Sequence, residues 1–138
     1  VLDSRNIEVA TLHDELEFLE SFVFLQKIRF GDNLNVQIDL EKNTTSYVLP
    51  LSLQILMENA IKHNVVSEAN PLNIQLGLQG DYLVFKNKIK RKKSMDVGTG
   101  IGLENIKMRY KYLTEYPVII HQENEEFIVK LPILTALP

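Results

Sequence analysis

The apolar positions of this chain change period several times, and each change predicts an element. Leu12, Leu16, Leu19, Val23, Gln26 and Phe30 recur at helical spacing. Thr11-Leu12-His13-Asp14 ahead of them is a capping-box pattern, in which a hydroxyl and a carboxylate satisfy free amides at a helix start. A first helix is therefore predicted from about Thr11 to Gly31. Val36, Ile38 and Leu40 then alternate with polar neighbours, as in a strand with one buried face, and a polar connection runs from Glu41 to Ser46. Pro50 is placed by this reading in the first turn of a second helix, where its missing amide hydrogen costs nothing.

Leu72, Ile74, Leu76 and Leu78 alternate strictly, Gly80-Asp81 can turn, and Tyr82 to Asn87 returns, which predicts a hairpin. A second hairpin is predicted from Val118 to Glu123 and Phe127 to Leu131 around Asn124-Glu125. Between them lie a polar, basic stretch from Lys88 to Val97, expected as a mobile loop, then a run of glycines and a helix from about Leu103 to Thr114. Antiparallel hairpins with three helices that need a surface to cover predict an α+β two-layer sandwich, helices on one face of the sheet.

The second helix carries the first chemical signal. At roughly 100° per residue, Leu53, Leu56, Met57, Ala60, Ile61 and Asn64 share one side, and Ser52, Ile55, Asn59, Lys62 and His63 share the other. The second side is either a solvent face or a ligand face. An amide oxygen at Asn59 is a hard ligand of the kind Mg²⁺ accepts, and Lys62 supplies a point charge for phosphate. Gly98, Gly100 and Gly102 alternate just before the later helix, where close backbone approach and the helix dipole both favour an anion. The spacing is neither the dinucleotide fingerprint nor a P-loop.

Composition narrows the rest. A chain of 138 residues with 45% apolar content supports one domain with a sizeable core. Fifteen basic against 18 acidic side chains give a net charge of -3, so no global field calls for a polyanionic partner. The one basic cluster, Lys86, Lys88, Lys90, Arg91, Lys92 and Lys93, lacks the interleaved aromatics or helical spacing of a nucleic-acid reader, and no nucleic-acid partner is expected. There are no cysteines, which fits a reducing compartment. No stretch approaches the roughly 20 apolar residues that span a bilayer, so no direct membrane contact is expected. The opening Val1-Leu2-Asp3 reads as a fragment of something longer, with 1–10 as a linker and 11–138 as the domain.

Pro50 to Asn64 (PLSLQILMENAIKHN) resembles the N box of LytS-type sensor histidine kinases, and Gly98 to Tyr110 (GTGIGLENIKMRY) resembles their G box. Thr11 to Phe30 is similar to the segment leading into their ATP-binding domain. The resemblance implies a Bergerat-fold module, related to the ATPases of gyrase, the heat-shock chaperone and MutL, that transfers the γ-phosphate of ATP to a histidine. It implies Asn59 as the Mg²⁺ ligand, Lys62 on phosphate, and His63 on the same rim. Gly98, Thr99, Gly100, Ile101, Gly102 and Leu103 would hold the lid and phosphates, and Glu58 on the rim would help position the nucleophile.

Two departures accompany the resemblance. The family's Asp-x-Gly, whose carboxylate reads the adenine amino group, falls here at Asn87-Lys88-Ile89, so the adenine reader is an amide and binding is expected to be weaker. The glutamate with which ATPase relatives activate water is replaced by Ile55, as suits a kinase that avoids hydrolysis. No phosphoacceptor context surrounds His13, His63 or His121. The resemblance thus implies a catalytic fragment that cannot phosphorylate itself, whose partners are its own upstream dimerisation and phosphoacceptor domain, a response regulator and a second subunit in the full-length protein. It implies a cytoplasmic domain of a membrane-anchored bacterial protein. The alternative is a degenerate, non-catalytic interaction or signal-relay module on the same fold.

Overall fold

The computed structural model describes residues 8–90 and 101–135. In chain order the elements are β1 (Ala10–Thr11), α1 (Leu12–Phe30), a 3₁₀ turn (Gly31–Asn33), β2 (Leu34–Ile38), β3 (Tyr47–Val48), α2 (Ser52–His63), β4 (Leu72–Gln79), β5 (Tyr82–Lys88), α3 (Ile101–Leu113), β6 (Ile119–Glu123) and β7 (Glu126–Pro132). The main sheet runs β2-β4-β5-β7-β6; β2 and β4 are parallel and the other pairs antiparallel. The α+β expectation holds, and so do both hairpins. The second closes through Asn124 and Glu125, both at positive φ, the pair of conformations a two-residue hairpin turn requires.

Register decides which side chains meet the helices. Leu76 pairs with Phe85 and Ile74 with Asn87, so Leu83, Phe85 and Asn87 share one face of β5. Leu12, Leu16 and Leu19 from α1, Leu53, Leu56 and Met57 from α2, and Ile106 and Tyr110 from α3 pack over that face. The Thr11 hydroxyl accepts from the Asp14 amide at 3.1 Å, the hydroxyl half of the capping box. The polar connection after β2 finishes the cap, because Leu12 and His13 donate their amides to the Ser46 and Asn43 carbonyls. Directly after that connection the chain is strand: β3 pairs with β1 in a second, two-stranded sheet that the sequence pattern did not predict.

The start of α2 departs from expectation. Pro50 lies outside the helix, which begins at Ser52 after Leu51 turns through φ 65°, a left-handed conformation that is unfavourable for a branched side chain. No side chain of its own caps it. Instead Glu15, buried in α1, accepts hydrogen bonds from the Leu51 amide at 2.9 Å and the Leu53 amide at 3.1 Å. On the other side the Tyr110 hydroxyl of α3 accepts from the Leu49 amide at 3.3 Å. All three helices therefore converge on residues 49–53. Ser52, placed by the helical wheel on the polar side, is fully buried here because this convergence covers the first turn.

The far end of α2 is tied as firmly. Asn64, 5% exposed, donates to the Ala60 carbonyl and accepts from the Lys90 amide at 2.8 Å, while Val65 donates to the Lys90 carbonyl. Ile89 donates to the Glu125 carbonyl. Residues 88–90, expected as the beginning of a loop, are thus strand and anchored exit; the rest of that expected loop, 91–97, lies outside the described residues.

Burial raises the Glu15 pKa above its ordinary 4.5, against the lowering effect of the two amide bonds. The folded chain therefore holds this proton to higher pH than the unfolded one, and the stability so gained is present below pH 4.5 and lost as pH rises through the folded value. Replacing Glu15 by Gln should give a variant whose stability deficit against the parent narrows as pH rises across that window, measured by urea unfolding. Glu15→Ala should cost about 2 kcal/mol at neutral pH, a fall in Tm of roughly 5–10 °C. Asn64→Ala should cost about 1–3 kcal/mol and speed hydrogen exchange at the Lys90 amide; unchanged protection there would remove the clamp from the account.

Candidate nucleotide site

Asn59 and Ile55 lie one turn apart on the side of α2 turned away from the sheet, and both are half-buried rather than solvated. The cover is α3. A Cβ added to Gly102 would lie 3.1 Å from Ile55 Cγ2 and 3.9 Å from Asn59 Nδ2. The first turn of α3 therefore rests directly on the polar stripe of α2, and only a residue without a side chain sits there without displacing Ile55. Ile55, on the polar side of the wheel, thus serves an apolar purpose as the floor on which Gly102 stands. α3 begins at Ile101, so Gly102 belongs to the helix rather than to the turn before it, and Leu103, partly buried against the core, follows in the same turn.

Gly98, Thr99 and Gly100 lie outside the described residues. Their two flanks do not. The chain leaves the described part at Lys90, bonded to Asn64 at the end of α2, and returns at Ile101 and Gly102 on the middle of α2.

Asn87 belongs to β5, in register with Ile74 of β4 and Phe127 of β7. It is 3% exposed; its Nδ2 donates to the Lys88 carbonyl at 2.9 Å, and its Oδ1 is buried without a hydrogen-bond partner among the described residues. A buried acceptor left open is costly and uncommon, and here it is on the helix-facing side of β5, three residues before the Lys90 anchor. An amide oxygen in that state fits a ligand that brings a donor, such as an amino group.

The remaining candidates divide. Glu58 and Lys62 line a cavity of about 450 Å³ between α1 and α2, together with Gln26 and Arg29, so they flank the Asn59–Gly102 contact rather than share it. Glu58 Oε1 accepts from Gln54 Nε2 at 3.1 Å. His63 is half-buried in the last turn of α2. Among the described residues no three His, Cys, Asp or Glu side chains gather into a metal cage; an amide oxygen such as that of Asn59 is a hard donor of the kind Mg²⁺ accepts beside water and ligand oxygens. Asn64 and Glu15 are the residues sequence reasoning passed over. A polar Asn64 on the apolar side of the wheel was the available signal, since a buried amide requires a partner.

No protein-family model matches the chain. Its sequence is 29% identical over 141 aligned residues to sensor protein LytS of Staphylococcus saprophyticus, covering 88% of this chain, and 25% identical over 130 to sensor histidine kinase BtsS of Escherichia coli, covering 89%. The chain spans about a quarter of the length of these relatives, 24% and 23%. Among solved structures, the catalytic domain of histidine kinase ThkA aligns with TM-score 0.60 at 11% identity, over 91% of this chain and 95% of that one. The cytoplasmic segment of histidine kinase QseC aligns with TM-score 0.63 at 14% identity, over 95% of this chain and 80% of that one. Along most of its length, then, the chain is similar in sequence to sensor histidine kinases, and its fold is that of a histidine-kinase catalytic domain.

Proposed function

We propose that this chain is the ATP-binding catalytic domain of a two-component sensor histidine kinase of the LytS type, binding ATP with Mg²⁺ and donating the γ-phosphate to a histidine on another domain. The observation that carries the reading is the seating of Gly102 on Ile55 and Asn59, which brings the end of the glycine motif to the residue of α2 whose amide oxygen would serve as the hard ligand. Magnesium-bound ATP supplies the transferable phosphoryl group and the charge neutralisation around it.

The chain's own residues do the rest by binding and orientation. Asn59 offers an amide oxygen to the metal. His63, on the following turn, offers hydrogen bonds toward phosphate oxygens, while Lys62 and Glu58 lie together on the α1 side, from which the long Lys62 side chain would supply charge to the phosphates. The backbone of 98–103 holds the phosphates. Asn87 Oδ1 accepts from the adenine amino group, as a neutral acceptor where relatives of this fold have a carboxylate. With Ile55 where a water-activating base would stand, the site favours transfer over hydrolysis.

The partners follow from the same reading: an upstream dimerisation and phosphoacceptor domain of its own chain, a second subunit, and a response regulator that takes the phosphoryl group. The parent is a bacterial membrane sensor with this domain in the cytoplasm; among the described residues no helix is long and apolar enough to cross a membrane.

Calorimetric titration with a nonhydrolysable ATP analogue should show Mg²⁺-dependent binding, with a matching rise in Tm. Asn59→Ala should abolish the metal dependence. Heat and melting curves that no adenine nucleotide alters at millimolar concentration would favour the non-catalytic relay module instead. For base recognition, Asn87→Ala should bring ATP down to the affinity of inosine triphosphate, which lacks the amino group, a loss of roughly tenfold. Equal affinities of the parent chain for the two nucleotides would remove Asn87 from the base site.

A further inference from the structure

The cavity of about 450 Å³ between α1 and α2 lies on the flank of α2 away from Gly102. Phe22 and Phe30 of α1, Ile61 of α2 and Val66 just beyond it give it apolar walls. All four belong to the core or pack against it, so the walls are held in place by the rest of the fold. The volume suits a small molecule, whose body rests on apolar walls while a few polar groups fix its orientation.

Three charged side chains stand at this cavity: Arg29 from α1, and Glu58 and Lys62 from α2. Glu58 is engaged along its own helix, its Oε1 accepting from Gln54 Nε2 at 3.1 Å. Arg29 stacks its guanidinium over the Phe30 ring at 4.8 Å. Stacking uses the flat face of that group and leaves its N–H edge open, the edge that takes a carboxylate through two parallel hydrogen bonds. Among the described residues neither Arg29 nor Lys62 has a carboxylate partner. Two cations against one carboxylate, over aromatic and aliphatic walls, call for a ligand with a negative head and an apolar body.

We propose that this cavity is a second ligand site, for a small aryl or acyl carboxylate whose head is held by Arg29 and Lys62 and whose body lies against Phe22, Ile61 and Val66. Under the function proposed above, on which this next step rests, Lys62 is also the cation offered to phosphate. One ammonium cannot serve an anion on each flank of α2 at once. The carboxylate and the nucleotide therefore compete for Lys62 without sharing space, and each weakens the other by the same factor.

The probe is 2-naphthoate, with 2-naphthamide as its uncharged isostere, titrated calorimetrically into the 138-residue chain without nucleotide. Naphthoate should bind one to one with Kd between about 10 μM and about 1 mM, and the amide about tenfold more weakly. Arg29→Gln, at an exposed position, should weaken naphthoate roughly tenfold with Tm close to that of the parent. Gln26→Trp, which fills the cavity from α1, should abolish binding. With the nonhydrolysable ATP analogue and Mg²⁺, saturating naphthoate should lower the analogue's affinity roughly threefold to tenfold, with the reciprocal effect on naphthoate, and Lys62→Gln should remove this coupling. No naphthoate heat at about 5 mM, equal binding of the amide, or binding that survives both Arg29→Gln and Gln26→Trp overturns the carboxylate site. Naphthoate that binds without altering the analogue's affinity overturns the competition for Lys62. A chain that takes naphthoate but no adenine nucleotide fails the function proposed above and still supports the cavity site.

Discussion

Two hydrogen bonds that Glu15 accepts, from the Leu51 and Leu53 amides, hold the arrangement on which everything else depends. The start of α2 has no cap of its own and follows a leucine in the left-handed region, so in isolation it is a poor helix start. Glu15 supplies from α1 what the local sequence lacks: two side-chain oxygens facing the orphan amides. Tyr110 completes the junction from α3, its hydroxyl bonded to the Leu49 amide and its pKa pushed up to about 12, mainly by burial. A phenol so buried stays neutral throughout the physiological range, so the junction keeps a single ionisable partner in Glu15. The orientation of α2, and with it the direction in which Asn59 points, is set at this place.

From there the site is assembled on one helix. The beginning of α2 is held by Glu15, its end by Asn64 on Lys90, and its middle carries Ile55 and Asn59 under Gly102. Asn87 is brought in by the sheet, through the register that puts it on the same side as Leu83 and Phe85. Asn59 and Asn87 are thus carried by a helix and a paired strand, which limits how far these two side chains can drift from a binding geometry. Glu58 and Lys62 face the other flank, toward α1.

Much of this was legible in the residues. Strict alternation from Leu72 to Leu78 with Gly80-Asp81 after it leaves little choice but a hairpin, and Gly80 does adopt positive φ. The same alternation, carried from Leu83 through Phe85, already places Asn87 on the buried face. The two-residue strands β1 and β3 were too short to leave a period, and the parallel pairing of β2 with β4 depends on a crossover no local pattern records. Pro50 misled because proline suits both a first helical turn and the bend ahead of one; the deciding partner, Glu15, is 36 residues from the Leu51 amide that it accepts from. Asn59 and Gly102 were legible as chemical types through their motifs, while their contact, 43 positions apart in sequence, belongs to the packing of α3 on α2.

The two anchors at Lys90 and Gly102 both depend on α2. Lys90 is bonded to Asn64 at the end of α2 and Gly102 rests on its middle, so any shift or tilt of that one helix moves both posts together and changes the spacing between the two ends of the segment that joins them.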